Sequence, residues 1–323
     1  MTLKQKMLDN RLVIPLMGAP GIKLSKTTLK ENLLDDKVQF RTLSLLMERF
    51  EPDGIFTFMD LTVELDALGL KVKYPDNDNP SILEHPLNDI EDLENIEKAW
   101  KGPSGRMIKF IRLMGKMSAE IPIINGGYVI GPFSMAGELM GVNDIAISVI
   151  TDPDLVKKVL EFSNKVIAEY ISALFDAGAD TVAVLEPSAV ILSPEHYREF
   201  SLLPFKRLAE TIAQPLILHI CGNTTHLIEQ MVESGAAGLS LDSDVSFGGI
   251  KSQVPEEITL IGNLSPAEVF LQGNVEEVRE AALSLKKEMT GRKNFIISSG
   301  CDLPVDTPLE NIEVFMKTAR EEL

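Results

Sequence analysis

Several residue types are scarce in this chain, and each scarcity closes a class of explanation. Cysteine occurs only twice in 323 residues, as Cys221 and Cys301, so a disulfide framework is excluded and at most one bridge could form. Cations are outnumbered: 31 Lys and Arg face 48 Asp and Glu, for a formal net charge of −17. So acidic a chain repels a phosphate backbone, and no nucleic-acid partner is expected. No apolar run reaches the roughly 18 residues of a membrane span, because Pro, Gly or charge cuts the longest ones, and no membrane association is expected either. The opening MTLKQKMLDNRLVIPLMGAPG carries early lysines and an apolar stretch, but Pro15 and Pro20 interrupt it and no small-residue cleavage site follows. The expectation is a cytoplasmic protein without a signal peptide. Neither G-x-G-x-x-G nor G-x-x-x-x-G-K-[ST] occurs, so the glycines of Asn125-Gly-Gly-Tyr and Gly131-Pro-Phe-Ser do not indicate a nucleotide cofactor.

What the chain does have is a large core and a regular rhythm. At 45% hydrophobic and 24% charged residues it is a globular chain, long enough to fill one α/β barrel with insertions. Short β-rich apolar runs alternate with longer stretches of helical period, the pattern of parallel strands joined by crossover helices. Eight such runs can be counted: Leu12 to Met17, Ile55 to Met59, Tyr128 to Phe133, Thr181 to Leu185, Leu216 to Ile220, Gly238 to Leu241, Thr259 to Gly262 and Asn294 to Ser298. Eight is the (β/α)8 number, so a TIM barrel forming a single domain over 1–323 is expected. Helices are expected between the runs, among them Asp152 to Ala177, where Asp152 and Pro153 form an N-cap and first-turn pair. Residues 60–103, with Pro75, Pro80, Pro86 and an acidic stretch, interrupt the rhythm and read as an insertion after the second strand, placed to cap the barrel mouth.

Chemistry-bearing residues gather at the expected strand ends. In Pro215-Leu-Ile-Leu-His219-Ile-Cys221-Gly222 a histidine and a cysteine stand two apart, on one face of a strand. Cys301 follows the last expected strand and so falls on the same rim, where barrel enzymes keep their active sites. One His and two Cys make a three-ligand zinc set with a fourth position left for substrate, the pattern of catalytic zinc. The alternative is two ordinary buried cysteines and a satisfied core histidine. Asp60, Glu186 and Asp242, each just after a strand, are candidate catalytic carboxylates. Asp242 could be a displaceable fourth ligand or orient a ligand, and equally could cap a helix. Glu64, near Asp60, and Asn263, after the seventh strand, could orient substrate, with helix capping by Asp60 the competing reading. The 13 methionines fill core gaps, though some, such as Met135, could line an apolar pocket.

The run LHICGNTTHLIEQM, then IGNLSP and SSGCDLPVDTPLENI, resembles the zinc-dependent methylcobamide:coenzyme M methyltransferases of the uroporphyrinogen decarboxylase superfamily. Supporting stretches are FMDLTVELDALG, GPFSMAGELMG and LSPEHYREF. The likeness spans nearly the whole chain, and its specific part is the family's His-x-Cys with a distant Cys, which falls on His219, Cys221 and Cys301. The resemblance implies a uroporphyrinogen decarboxylase-like (β/α)8 barrel whose Zn2+ holds a thiol such as coenzyme M as thiolate. That thiolate would attack the methyl of a methyl-Co(III) corrinoid. It also implies that Asp242 yields its place near zinc to the thiol. Because D-x-H-x-x-G is missing, the methylcorrinoid would be supplied by a partner corrinoid protein, docked on the rims at 60–103 and 125–141. Alternatives are tetrahydrofolate as acceptor, or a donor-side enzyme that moves a substrate methyl to Co(I). Porphyrin decarboxylation is disfavoured, because the N-terminal stretch RLVIPLMGAPGIK lacks the decarboxylases' arginine-rich motif for substrate carboxylates.

Overall fold

A computed structural model describes residues 12–322. Its main sheet has seven parallel strands: β1 (Gly54–Phe56), β4 (Ile124–Ile130), β5 (Thr181–Leu185), β6 (Leu216–Ile220), β7 (Gly238–Leu241), β8 (Thr259–Leu264) and β9 (Phe295–Ser299), hydrogen-bonded in that order. A separate antiparallel pair, β2 (Val72–Lys73) and β3 (Ser81–Ile82), lies between β1 and β4 in sequence. Helices such as Gly105–Glu120, Pro153–Asp176 and Val275–Glu288 connect the parallel strands, and Leu309–Arg320 follows the last of them. Asp152 does cap its helix, accepting from Leu155 N–H, with Pro153 in the first turn. No single described helix is long and apolar enough to cross a membrane.

Two apolar layers separate the sheet's faces. The larger lies between strands and helices, and Met135, Leu218 and Phe315 belong to it. The smaller lies inside the curl and takes Ile124, Ala183, Ile217, Ile261 and Ile296 from five strands, with Leu12, Ile14 and Leu16 from the N-terminal segment. All of these inner residues but Leu12, with Phe56 and Ser240 from β1 and β7, line a void of about 30 Å3.

The first of the eight expected strands, Leu12 to Met17, is a correction. Among the described residues it forms only one isolated parallel bridge, Val13 to Ile297. The reason is that side chains take many of its backbone groups. Asp53 Oδ2 accepts from Val13 N–H at 2.7 Å, Ser299 Oγ accepts from Leu16 N–H, and Ser298 Oγ donates to Ile14 O. Backbone contacts still reach both neighbours, from Ile14 N–H to Ile297 O and from Asp53 N–H to Val13 O. At β4 the expectation began too late. Gly126 and Gly127, outside the expected Tyr128 to Phe133, lie in the strand, and a Cβ on Gly126 would fall 2.2 Å from the Phe56 ring.

The segment 60–103 is more than a loop. It carries the helices Val63–Ala67 and Ile90–Ala99 as well as the β2–β3 pair. It is tied down by Arg106, whose guanidinium bonds Asp60 and Thr62 Oγ1 and lies over the Tyr74 ring at 4.9 Å, while its backbone N–H donates to Asp66. Both partners of the Arg106–Asp60 ion pair are buried. Removing one partner of such a pair leaves an uncompensated charge. Arg106→Leu is therefore expected to cost about 3–5 kcal/mol of folding free energy, measured by urea unfolding; a wild-type midpoint would show that the pair does not brace the segment.

Candidate metal centre

His219 is the fourth residue of β6, and Cys221 is the first residue past its end. Their spacing of two puts both side chains on one face of the strand line. Cys301 comes 80 positions after Cys221, two residues beyond β9. Gly300 lets that exit run close to the turn after β7, since a Cβ there would stand 2.7 Å from Ser243 N. The sulfurs of Cys221 and Cys301 are 3.3 Å apart, and His219 Nε2 is 3.1 Å from the first and 3.7 Å from the second. These three are the one group among the described residues whose donor atoms gather tightly enough to hold a metal ion. His219 is only 2% exposed, whereas both cysteines are partly open. The sulfurs are therefore the approachable side of the group. Contact with the Cys221 thiol, and then burial, push the Cys301 thiol up, against the opposing influence of His219. Crowded thiols without a cation resist ionisation, and a bound divalent cation reverses that preference.

The other expected residues are placed around this group, engaged with the protein itself. Asp242 turns one carboxylate oxygen to Gly222 N–H at 2.9 Å and the other to Ser243 Oγ and Asp244 N–H. It stands outside the three-donor group. Asn263 donates to the carbonyls of Asp242 and Val245, so Asp242 and Asn263 together hold the turn after β7 against the loop after Cys221.

Glu186 is fully buried at the end of β5 and accepts from Phe133 N–H, Ser134 N–H and Ser134 Oγ, at the start of the helix Pro132–Met140. Burial raises its pKa to about 7, with those bonds opposing. Glu64, also fully buried, accepts from Ile130 N–H with one oxygen, while the other has no partner. Burial raises it to about 8. Asp60 is consumed by Arg106 and Thr62. Met135 is fully buried in the layer between strands and helices rather than in the inner layer.

Three neighbours of the donor group were not singled out from sequence. Ser240 Oγ lies 2.9 Å from His219 Nδ1. Asp302 has its carboxyl pushed up by burial and by the Cys301 thiol, and Tyr128 has its phenol pushed up by burial, Asp302 and Cys301. Asp302 was signalled only by adjacency to Cys301. Ser240 becomes visible once β6 and β7 are paired in register, opposite His219.

The fold and the donor set define a parallel α/β protein with a candidate metal centre at the strand ends. The uroporphyrinogen decarboxylase (URO-D) family model matches residues 16–322, and the chain belongs to that family. A methylcobamide:CoM methyltransferase MtbA from Methanosarcina acetivorans is 29% identical over 81% of this chain and 77% of its own length. A uroporphyrinogen decarboxylase from Prochlorococcus marinus is 27% identical over 84% and 80%. Among solved structures, a methyltransferase from Methanosarcina mazei superposes with a TM-score of 0.87 at 22% identity, over 99% of this chain and 98% of that one. That last likeness speaks for the fold.

The buried carboxyl Glu64 generates a pH prediction. Its native pKa of about 8 lies above the ordinary 4.5, so the native state holds a proton that the unfolded chain has released. Its contribution to stability is present below about pH 4.5 and is lost as pH rises through about 8. Glu64→Gln keeps an acceptor for Ile130 N–H and removes the charge. It is expected to flatten the fall in unfolding free energy across that window; a slope identical to wild type in urea titrations at several pH values would contradict it.

Proposed function

We propose that the protein is a zinc-dependent methyltransferase that moves a methyl group from a methyl-Co(III) corrinoid, carried by a partner protein, to a thiol acceptor such as coenzyme M. The observation that carries this reading is the triangle of His219 Nε2 and the two cysteine sulfurs. In a tetrahedral zinc shell, with zinc–sulfur near 2.3 Å and zinc–nitrogen near 2.0–2.1 Å, donors stand roughly 3.5–3.8 Å apart. The edges here, 3.1, 3.3 and 3.7 Å, need only a small spreading to accept such an ion. Two thiolates and a neutral imidazole would balance the ion's charge and leave one open position. When bound there, zinc supplies the deprotonation of an incoming thiol and holds it as a nucleophile at ambient pH.

The chain's own residues do the positioning. His219 anchors the group from the buried side, while the partly open sulfurs of Cys221 and Cys301 leave an approach for a substrate sulfur. Asp242 and Asn263 fix the loop after Cys221 through Gly222. Glu186 and Glu64 act as braces, holding the helix Pro132–Met140 and the end of β4 at the rim. In the transfer the thiolate sulfur bonds the methyl carbon, and the cobalt–carbon electron pair stays with cobalt as Co(I). The barrel closes as a single (β/α)8 unit, with Leu12–Leu16 in the eighth place between β9 and β1. The segment 60–103 caps its mouth and offers the rim for the corrinoid protein.

The named relatives include decarboxylases, and one observation weighs against that activity here. Asp60 spends both carboxylate oxygens on Arg106 and Thr62, and Arg106 is spent on Asp60 in return. Neither is free for a substrate with many carboxylates. Tetrahydrofolate as acceptor, and the donor-side direction, are outcomes of the same test rather than readings that any observation favours.

The test mixes zinc-loaded protein with free methylcobalamin and coenzyme M, and in parallel with tetrahydrofolate, following loss of the methyl-cobalt absorbance. Zinc-dependent demethylation with the thiol is expected. Cys301→Ser should lower that rate by more than about 100-fold, beyond the 10–100-fold typical of outer-shell changes, and should weaken zinc retention. No zinc-dependent reaction with the thiol would overturn the reading.

A further inference from the structure

We propose that Ser240 is a positioning residue for the metal-ligating histidine, fixing the imidazole tautomer that aims the Nε2 lone pair at the two cysteines. The inference rests on the metal-site reading above and assigns a residue that reading leaves out. In the parallel ladder Ser240 is the register partner of His219, and both side chains line the interior void. Ser240 Oγ is 2.9 Å from His219 Nδ1, and the two residues are 4% and 2% exposed.

The other ring nitrogen faces the sulfurs, at 3.1 and 3.7 Å. The two nitrogens thus have different tasks. When Nδ1 carries the proton and donates it to Ser240 Oγ, Nε2 keeps a lone pair directed at the donor group. The opposite tautomer would point a proton into it.

Among the described residues, Ser240 Oγ is the one hydrogen-bond partner of His219 Nδ1. The void beside the pair is walled by Ile217, Ile261 and Ile296. The hydroxyl of Thr181, which also lines it, donates instead to Pro215 O at 3.0 Å. Without Ser240, an Nδ1 proton would lose the one acceptor found for it among the described residues, and a buried donor without an acceptor is unfavourable. A ligand histidine held by its second nitrogen follows the general rule for metal sites. Here the acceptor is a serine hydroxyl on the next strand, supplied by register rather than by a carboxylate.

The experiment compares Ser240→Thr with Ser240→Val, isosteres that differ only in the hydroxyl. The adjacent void of about 30 Å3 gives room for the added methyl, and both residues suit a strand, so any folding cost is shared. Zinc affinity is measured by competition with a chromophoric chelator at pH 7. Tautomers are read in the zinc-free protein from imidazole nitrogen shifts of 15N-histidine-labelled samples. The Thr variant is expected within about threefold of wild type, and the Val variant about 10–100-fold weaker. The Nδ1–H form of His219 is expected to hold in wild type and Thr and to give way in Val. Equal zinc affinity and the same tautomer in Thr and Val would overturn the role of Ser240. A wild-type protein that binds no zinc would overturn the metal reading before the variants are compared.

Discussion

The curl of the parallel sheet is the constraint on which the site depends. β6 and β9 are three strand spacings apart in the order of the sheet, which on a flat sheet is roughly 14 Å at 4.7–4.9 Å per spacing. Their exit cysteines nevertheless bring sulfurs to 3.3 Å. Strong curvature closes that gap, together with the Gly300 exit that carries Cys301 towards the turn after β7. The inner layer makes such curvature favourable: branched and small side chains from strand after strand, Ile217, Ile261, Ile296 and Ala183, bury against one another. Loss of this apolar interior would separate the donors before it disturbed any one of them. A metal bound across β6 and β9 would in turn couple their ends, so the centre and the curl stabilise each other.

Around the donor group the polar residues divide into two kinds. Glu64, Glu186, Asp60 and Arg106 are buried and satisfy backbone N–H groups or one another. Their work is to hold the ends of β4 and β5, the helix Pro132–Met140 and the segment after β1 in place. The carboxyls among them at the ends of β4 and β5 stand above their ordinary range because burial penalises charge, which favours a neutral rim beneath a strongly acidic surface. The sulfurs of Cys221 and Cys301 are of the other kind, partly open and committed mainly to each other and to His219. Under the proposed function, chemistry at this rim would belong to sulfur rather than to the carboxylates that surround it.

Much of this was legible in the sequence, because β5, β6 and β7 are short, mainly apolar runs whose ends coincide with the expected ones. The donor triad was legible for a related reason: strand period places His219 and Cys221 together, and the strand-end rule places Cys301 on their rim. Sequence patterning failed where side chains substitute for backbone. Leu12 to Met17 has a strand's composition, but Asp53, Ser298 and Ser299 take many of its backbone groups, and no local pattern announces that exchange. The roles of Asp60 and Glu186 were hidden likewise. Their partners, Arg106 and the Phe133–Ser134 amides, are 46 and 53 or 52 positions away, so a carboxylate at a strand end could not be told from a brace by position alone.

The Asp60–Arg106 pair also bears on how one family can carry two chemistries. Relatives of this chain are named both as decarboxylases and as methylcobamide methyltransferases, and such a scaffold must change its reactive groups without losing its curl. A buried ion pair is an expensive way to stabilise a fold, since desolvation offsets most of the Coulomb gain. Its effect is definite, however: it ties up the Arg106 guanidinium, the kind of group best suited to a polyanionic substrate, in a buried pair with Asp60. Cys221 and Cys301, past β6 and β9, take no part in that pair. The pairing of the guanidinium with Asp60 and the gathering of soft donors past β6 and β9 involve separate residues, and their coexistence in this chain favours the methyl-transfer reading over the decarboxylase one.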